Sequence, residues 1–158
     1  VGFIFAREPV RRVYSRAALN SWFKIPAGEK NHKVLSKHIF RQDSWLVSLM
    51  AHMHLRGKSF RFDLYLPGGE KQTLLNIPAW NFNWQTNYLL EKPINIPSGS
   101  RVECTAYFDN SKGNPDNPDP KSIVRWGDQT WEEMMIGYLN YVPQDEELIQ
   151  PGVPGRED

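Results

Sequence analysis

Cysteine is almost missing from this chain. Cys104 stands alone, so no internal disulfide framework can form and no thiolate cluster can hold a metal. Long apolar runs are missing too. Trp45 to Val47 and Leu49 to Met53 are among the longest, far short of the roughly 20 residues that cross a bilayer as a helix, so no membrane span is expected. Charge of one sign is also lacking: the formal net charge is +1 and the lysines and arginines are scattered. Phosphate-backbone recognition calls for a basic face or stripe, and nucleic acid is therefore not an expected partner. The sequence opens on Val1 without a basic stretch, apolar run and small-residue cleavage site, which reads as a mature segment or an excised piece.

What the chain has is aromatic and β-branched residues in short runs. Six Trp, six Tyr and eight Phe in 158 residues favour pleated, half-buried surfaces, and the length fits one domain with one core. Ser59 to Leu66 alternates polar and apolar, placing Phe60, Phe62, Leu64 and Leu66 on one side of a strand. Pro67-Gly68-Gly69 then turns the chain into Lys71 to Ile77, a hairpin signature. Similar runs predict strands at Gly2–Ala6, His32–Phe40, Ser44–His54, Gln85–Glu91, Arg101–Phe108 and Glu133–Val142. The segment Asp109 to Pro120 is too rich in Pro, Asn and Asp for a strand and reads as a loop. Short strands at this spacing point to an all-β fold, an antiparallel β-sandwich of jelly-roll type, over residues 1–143. Residues 144–158, acidic and rich in Pro and Gly, read as a flexible tail.

The sharpest chemical feature is His52-Met53-His54. Side chains two apart on a strand share a face, so both imidazoles can reach one ion, and imidazole suits zinc, copper, iron and nickel. A third donor must come from elsewhere: His32, His38, a carboxylate or a methionine. Glu132-Glu133-Met134-Met135 offers both classes of donor. Oxygen would favour zinc or iron, whereas a thioether would favour copper, Cu(I) above all. Spacing alone does not decide between them.

Five segments in order carry a resemblance. They are Ile25-Pro26-Ala27-Gly28-Glu29-Lys30; His52-Met53-His54-Leu55-Arg56-Gly57-Lys58; Ser98-Gly99-Ser100-Arg101-Val102-Glu103-Cys104-Thr105-Ala106-Tyr107; the stretch from Asp109-Asn110-Ser111 to Trp126-Gly127-Asp128-Gln129; and Glu132-Glu133-Met134-Met135-Ile136-Gly137-Tyr138 with Tyr141. Together they resemble the C-terminal, methionine-site domain of the copper type II ascorbate-dependent monooxygenases, the family of peptidylglycine α-hydroxylating monooxygenase and dopamine β-monooxygenase. The fourth segment is similar to a bacterial-type branch, and the match runs from about Gly2 to Pro143.

The resemblance implies copper as cofactor, His52, His54 and Met134 as its ligands, and Tyr138 beside the metal in a catalytic role. It implies dioxygen, ascorbate or another reductant, and an organic substrate whose C–H bond is hydroxylated, though it does not name that substrate. It further implies a partner, an N-terminal three-histidine copper domain, without which the chain alone would not turn over, and a periplasmic or secreted location. In the family's animal members the cysteine matching Cys104 bonds a cysteine at the position of Met135, so the resemblance puts Cys104 and Met135 on neighbouring elements. The rival reading is a non-catalytic copper-containing binding module, for which Trp80, Phe82, Trp84 and Trp126 would supply a ligand platform.

Overall fold

The computed structural model describes residues 2–151, which form an all-β chain. Ten strands follow one another: β1 (Tyr14–Leu19), β2 (Lys24–Ile25), β3 (His32–Ile39), β4 (Ser44–His52), β5 (Gly57–Tyr65), β6 (Lys71–Ile77), β7 (Tyr88–Ile96), β8 (Arg101–Phe108), β9 (Val124–Arg125) and β10 (Ile136–Pro143). Eight of them make two four-stranded sheets, ordered β1-β10-β4-β7 and β3-β8-β5-β6, and β2 with β9 adds a short two-stranded piece. Every strand pairing is antiparallel.

The alternation of β8 dictates which side faces inward. Val102, Cys104, Ala106 and Phe108 are buried, and the residues between them are half-exposed. Leu49, Ala51 and Leu139 from one sheet join Phe60, Phe62 and Leu64 from the other in a single core. Gly137 of β10 lies so close to the opposite sheet that a Cβ there would stand 2.5 Å from the Cys104 sulfur and 2.7 Å from the Phe62 ring. The two sheets thus pack face to face as a sandwich. Pairing is nested along the chain, β1 with β10, β3 with β8, β4 with β7 and β5 with β6.

Some expected elements shift. Gly2–Ala6 is not a strand; it is exposed and unpaired, and apolar content alone cannot supply a neighbour for its backbone. The edge strand of that sheet is β1, whose mixed Tyr-Ser-Arg-Ala-Ala-Leu sequence hides its role. β7 runs through Pro93 to Ile96 instead of ending at Glu91. It pairs only with β4 and breaks register between Leu46 and Ser48, and an edge with an irregularity is where a strand tolerates proline. The hairpin at Pro67–Gly69 forms as read, with Gly69 at a φ of 91° that side-chain-bearing residues rarely adopt. Of the expected tail, residues 152–158 lie outside the described residues. Gln144 donates its backbone N–H to the Asp43 carbonyl at 3.0 Å, and Val10 and Ile149 exchange backbone bonds of 3.1 and 2.8 Å, which tie that stretch to the body.

Candidate metal centre

β4 ends at His52, and the chain leaves it through Met53, His54 and Leu55. Met53 is fully buried in the core. Alternation about Met53 therefore sends both histidines to the other side of the chain, although His54 lies just beyond the strand that the sequence assigned to it. Their ring centres are 5.1 Å apart with the planes nearly perpendicular.

Each ring is held by one nitrogen. His52 Nδ1 is 2.6 Å from the side-chain oxygen of Gln85, and Gln85 is itself fixed through Nε2, which donates to the Phe82 carbonyl at 2.9 Å. His54 Nδ1 is 3.3 Å from the backbone carbonyl of Glu132. Both contacts are met when Nδ1 carries the hydrogen, which leaves Nε2 of each ring with its lone pair free, the tautomer that an acceptor on Nδ1 imposes on metal-binding histidines. Burial of His52 holds its pKa below the usual histidine value. The neighbouring His54 acts in the same direction, and the Gln85 bond opposes them. The shift is in the direction that favours the neutral ring, the form a ligand needs.

A buried carboxylate fastens this corner. Glu133 is fully buried and accepts the backbone N–H groups of His54 at 2.8 Å and Arg56 at 2.6 Å. Burial pushes its pKa up to about 7 against the pull of those donors and of the Arg56 charge. Trp80 closes the far side, its indole N–H donating to the His54 carbonyl at 3.2 Å and its ring packed where any Cβ on Gly57 would stand.

Met134 lies between Glu133 and the fully buried Met135, ahead of β10. Ile136 pairs with His52 and Tyr138 with Met50, and directly paired residues of antiparallel strands share a face. By alternation Ile136 and Tyr138 belong to the face of His52, and Met134 lies two residues ahead of the ladder. Met134 and Tyr138 are both half-buried. Met135 faces the other way, into the core that also holds Cys104, and burial raises the Cys104 thiol far above its ordinary range.

The fit to copper rests on this donor set. Two imidazoles bound to one ion through nitrogens ~2 Å away have ring centres about 5 Å apart, which the His52–His54 pair matches. Among the described residues no third histidine, cysteine, aspartate or glutamate gathers with them. A thioether in the third position would suit Cu(I).

Other candidates fall elsewhere. His32 and His38 lie on β3 of the opposite sheet, paired with Phe108 and Val102. The aromatic set divides: Trp80 and Phe82 border His54, Trp126 packs edge-on against Phe23, and Trp84 is 68 % exposed. It is not one platform. Gln129 and Asp128 belong to an exposed loop in which Glu132 accepts the Gln129 backbone N–H at 3.0 Å. Nothing local in the sequence singles out Gln85 as the partner of His52 or Glu133 as the fastener of this turn.

No family model matches the chain, and no curated protein matches it. Solved structures give weak likenesses. The infectious bursal disease virus VP2 subviral particle matches at 10% identity over 88% of this chain and 33% of that one, with a TM-score of 0.39. The Gx strain of the same virus matches at 12% identity over 92% and 43%, TM-score 0.37, and the Gt strain at 11% over 98% and 47%, TM-score 0.34. This chain thus spans less than half the length of each of these viral chains, and at such scores no inference about site or activity follows.

Proposed function

We propose that this chain is the methionine-site copper domain of a dioxygen-activating, ascorbate-dependent monooxygenase that hydroxylates a C–H bond of an organic substrate. The observation that carries the reading is the pair of neighbouring imidazoles, each anchored through Nδ1, by Gln85 and by the Glu132 carbonyl, with both Nε2 atoms free. Such anchoring is what metal-ligating histidines need and what ordinary surface histidines lack. In this reading His52, His54 and Met134 hold copper, which supplies dioxygen activation with electrons from ascorbate or another reductant. Gln85, Glu132 and Glu133 keep the rings in place, and Tyr138 borders the site where substrate would lie. A three-histidine copper domain elsewhere in the parent protein completes turnover, in an extracytoplasmic setting.

The test is Cu(I) titration of the wild type, His52→Ala and Met134→Ile against a competing chelator, with X-ray absorption of the loaded forms. Wild type should bind one copper with nitrogen and sulfur scattering. Met134→Ile should lose the sulfur contribution, and His52→Ala most of the affinity. Unchanged affinity and unchanged sulfur scattering in Met134→Ile would remove Met134 from the ligand set.

A second reading, a copper-holding binding module without catalysis, draws on the exposed indole of Trp84 next to Gln85. Oxygen consumption by the copper-loaded parent protein with ascorbate separates the two, and its absence favours the module.

A further inference from the structure

The Arg56 guanidinium makes no direct ion pair, and the charges of Glu133 and Asp119 act on it from a greater distance. Its residue is 1 % exposed, yet among the described residues no carboxylate oxygen comes within the 4.0 Å of an ion pair. Its partners are neutral: Nε donates to the Asn110 side-chain oxygen at 2.8 Å and Nη1 to the Trp131 carbonyl at 2.8 Å. Nη2 has no acceptor among the described residues and is not sealed from solvent. A guanidinium fork with one N–H edge left without an acceptor is a place for a planar anion.

Arg56 also lines a cavity. A pocket of about 400 Å³ is lined by Arg56, Asp119, Ile123, Arg125, Trp131 and Glu132. Ile123 and Trp131 keep 52 % and 60 % of their surface exposed at it, an apolar flank for something other than water. Two guanidinium and two carboxylate groups share the wall. Each oxygen of Asp119 already accepts a hydrogen bond, from Ser122 Oγ at 2.6 Å and the Lys121 backbone N–H at 2.9 Å, and the Glu132 carboxylate is turned onto Gly127 and the Gln129 N–H. The cations keep N–H donors to spare.

We propose that this pocket binds a small organic carboxylate, its anionic end on Arg56 and Arg125 and its apolar body against Trp131 and Ile123. A planar carboxylate matches the guanidinium fork. A doubly charged phosphate would meet the Asp119 and Glu132 charges in the same wall, which a monoanion meets at half the cost. The site is separate from the candidate metal centre and stands without it, but it shares the 131–133 segment, whose carbonyls hold Arg56 and His54.

The test uses the full metal-free chain, with benzoate, acetate and inorganic phosphate as probes and the assigned Trp131 indole N–H as the NMR reporter. Benzoate should shift that resonance saturably and bind more tightly than acetate. Arg125 is exposed, so Arg125→Ala should leave the fold intact and weaken benzoate about tenfold, the loss of one charge-assisted hydrogen bond. Trp131→Ala should erase the preference for benzoate over acetate. An unmoved indole, an unchanged affinity in Arg125→Ala, a benzoate preference that survives Trp131→Ala, or tighter binding of phosphate than of benzoate would each overturn the proposal.

Discussion

The Glu133 carboxylate accepts the backbone N–H of His54 at 2.8 Å, joining residues 79 positions apart. Its other oxygen takes the N–H of Arg56. One side chain therefore sets the path of the whole turn after β4 and, through that path, the direction of the His54 ring. Glu133→Ala should leave two buried N–H groups without acceptors, at a cost of about 2–4 kcal/mol. Urea unfolding would measure it, and copper affinity should fall with it. A stability within experimental error of wild type would show that the turn holds itself.

Gln85 acts on His52 from a separate segment and is only half-buried. Gln85→Leu should change stability little and weaken copper binding about 10–100-fold, the usual effect of removing an orienting partner. Its oxygen also favours the protonated ring, so the variant's His52 should titrate at lower pH than in wild type. An NMR titration of the metal-free protein reports that shift directly, and an upward or absent shift would refute the role given to Gln85.

Asp63 supplies the pH dependence. Burial works against its charge, but the Thr73 hydroxyl at 2.8 Å, Lys71 at 3.2 Å and Arg61 at 2.9 Å outweigh it and hold the carboxyl below the ordinary range. A depressed carboxylate contributes stability that is complete above its unfolded pKa and is lost as pH falls through the folded one. The wild type should therefore lose stability on acidification below about pH 4. Asp63→Asn should start about 1 kcal/mol lower at neutral pH, since the cations are largely exposed and screened. Its acid limb should be flatter, and parallel acid curves for the two proteins would assign the effect to other groups.

Gly137 is required by the distance between the sheets. An alanine methyl there would need the Cys104 sulfur and the Phe62 ring to move, and both belong to the packed core. Gly137→Ala should cost about 1–3 kcal/mol, as overpacked cores do. Adding Cys104→Ala should recover part of that loss by removing the sulfur. A double variant no better than the single one would place the clash on Phe62 alone.

Strands that carry their own pattern were readable. β5 alternates, β6 follows a Pro-Gly-Gly turn, and β3 and β8 sit between polar breaks, so local physics places them. β1 was not readable, because its partner is β10, with Tyr14 opposite Tyr141; a short edge segment becomes a strand only when a distant neighbour offers its backbone. Gly2–Ala6 fails for the converse reason, being apolar but without a partner strand.

Composition and pattern by themselves determined an all-β chain without a disulfide framework, and put two histidines two residues apart on one face of an extended segment. Neighbouring residues on an extended chain have little freedom in which side they face, so sequence order suffices there. Only the tertiary structure decided that Gln85 and the Glu132 carbonyl take Nδ1 of those rings, that Glu133 fastens the turn, and that Arg56 is buried and lines a cavity. Those contacts join segments tens of residues apart, and their existence depends on register and sheet packing, which no short window of sequence encodes.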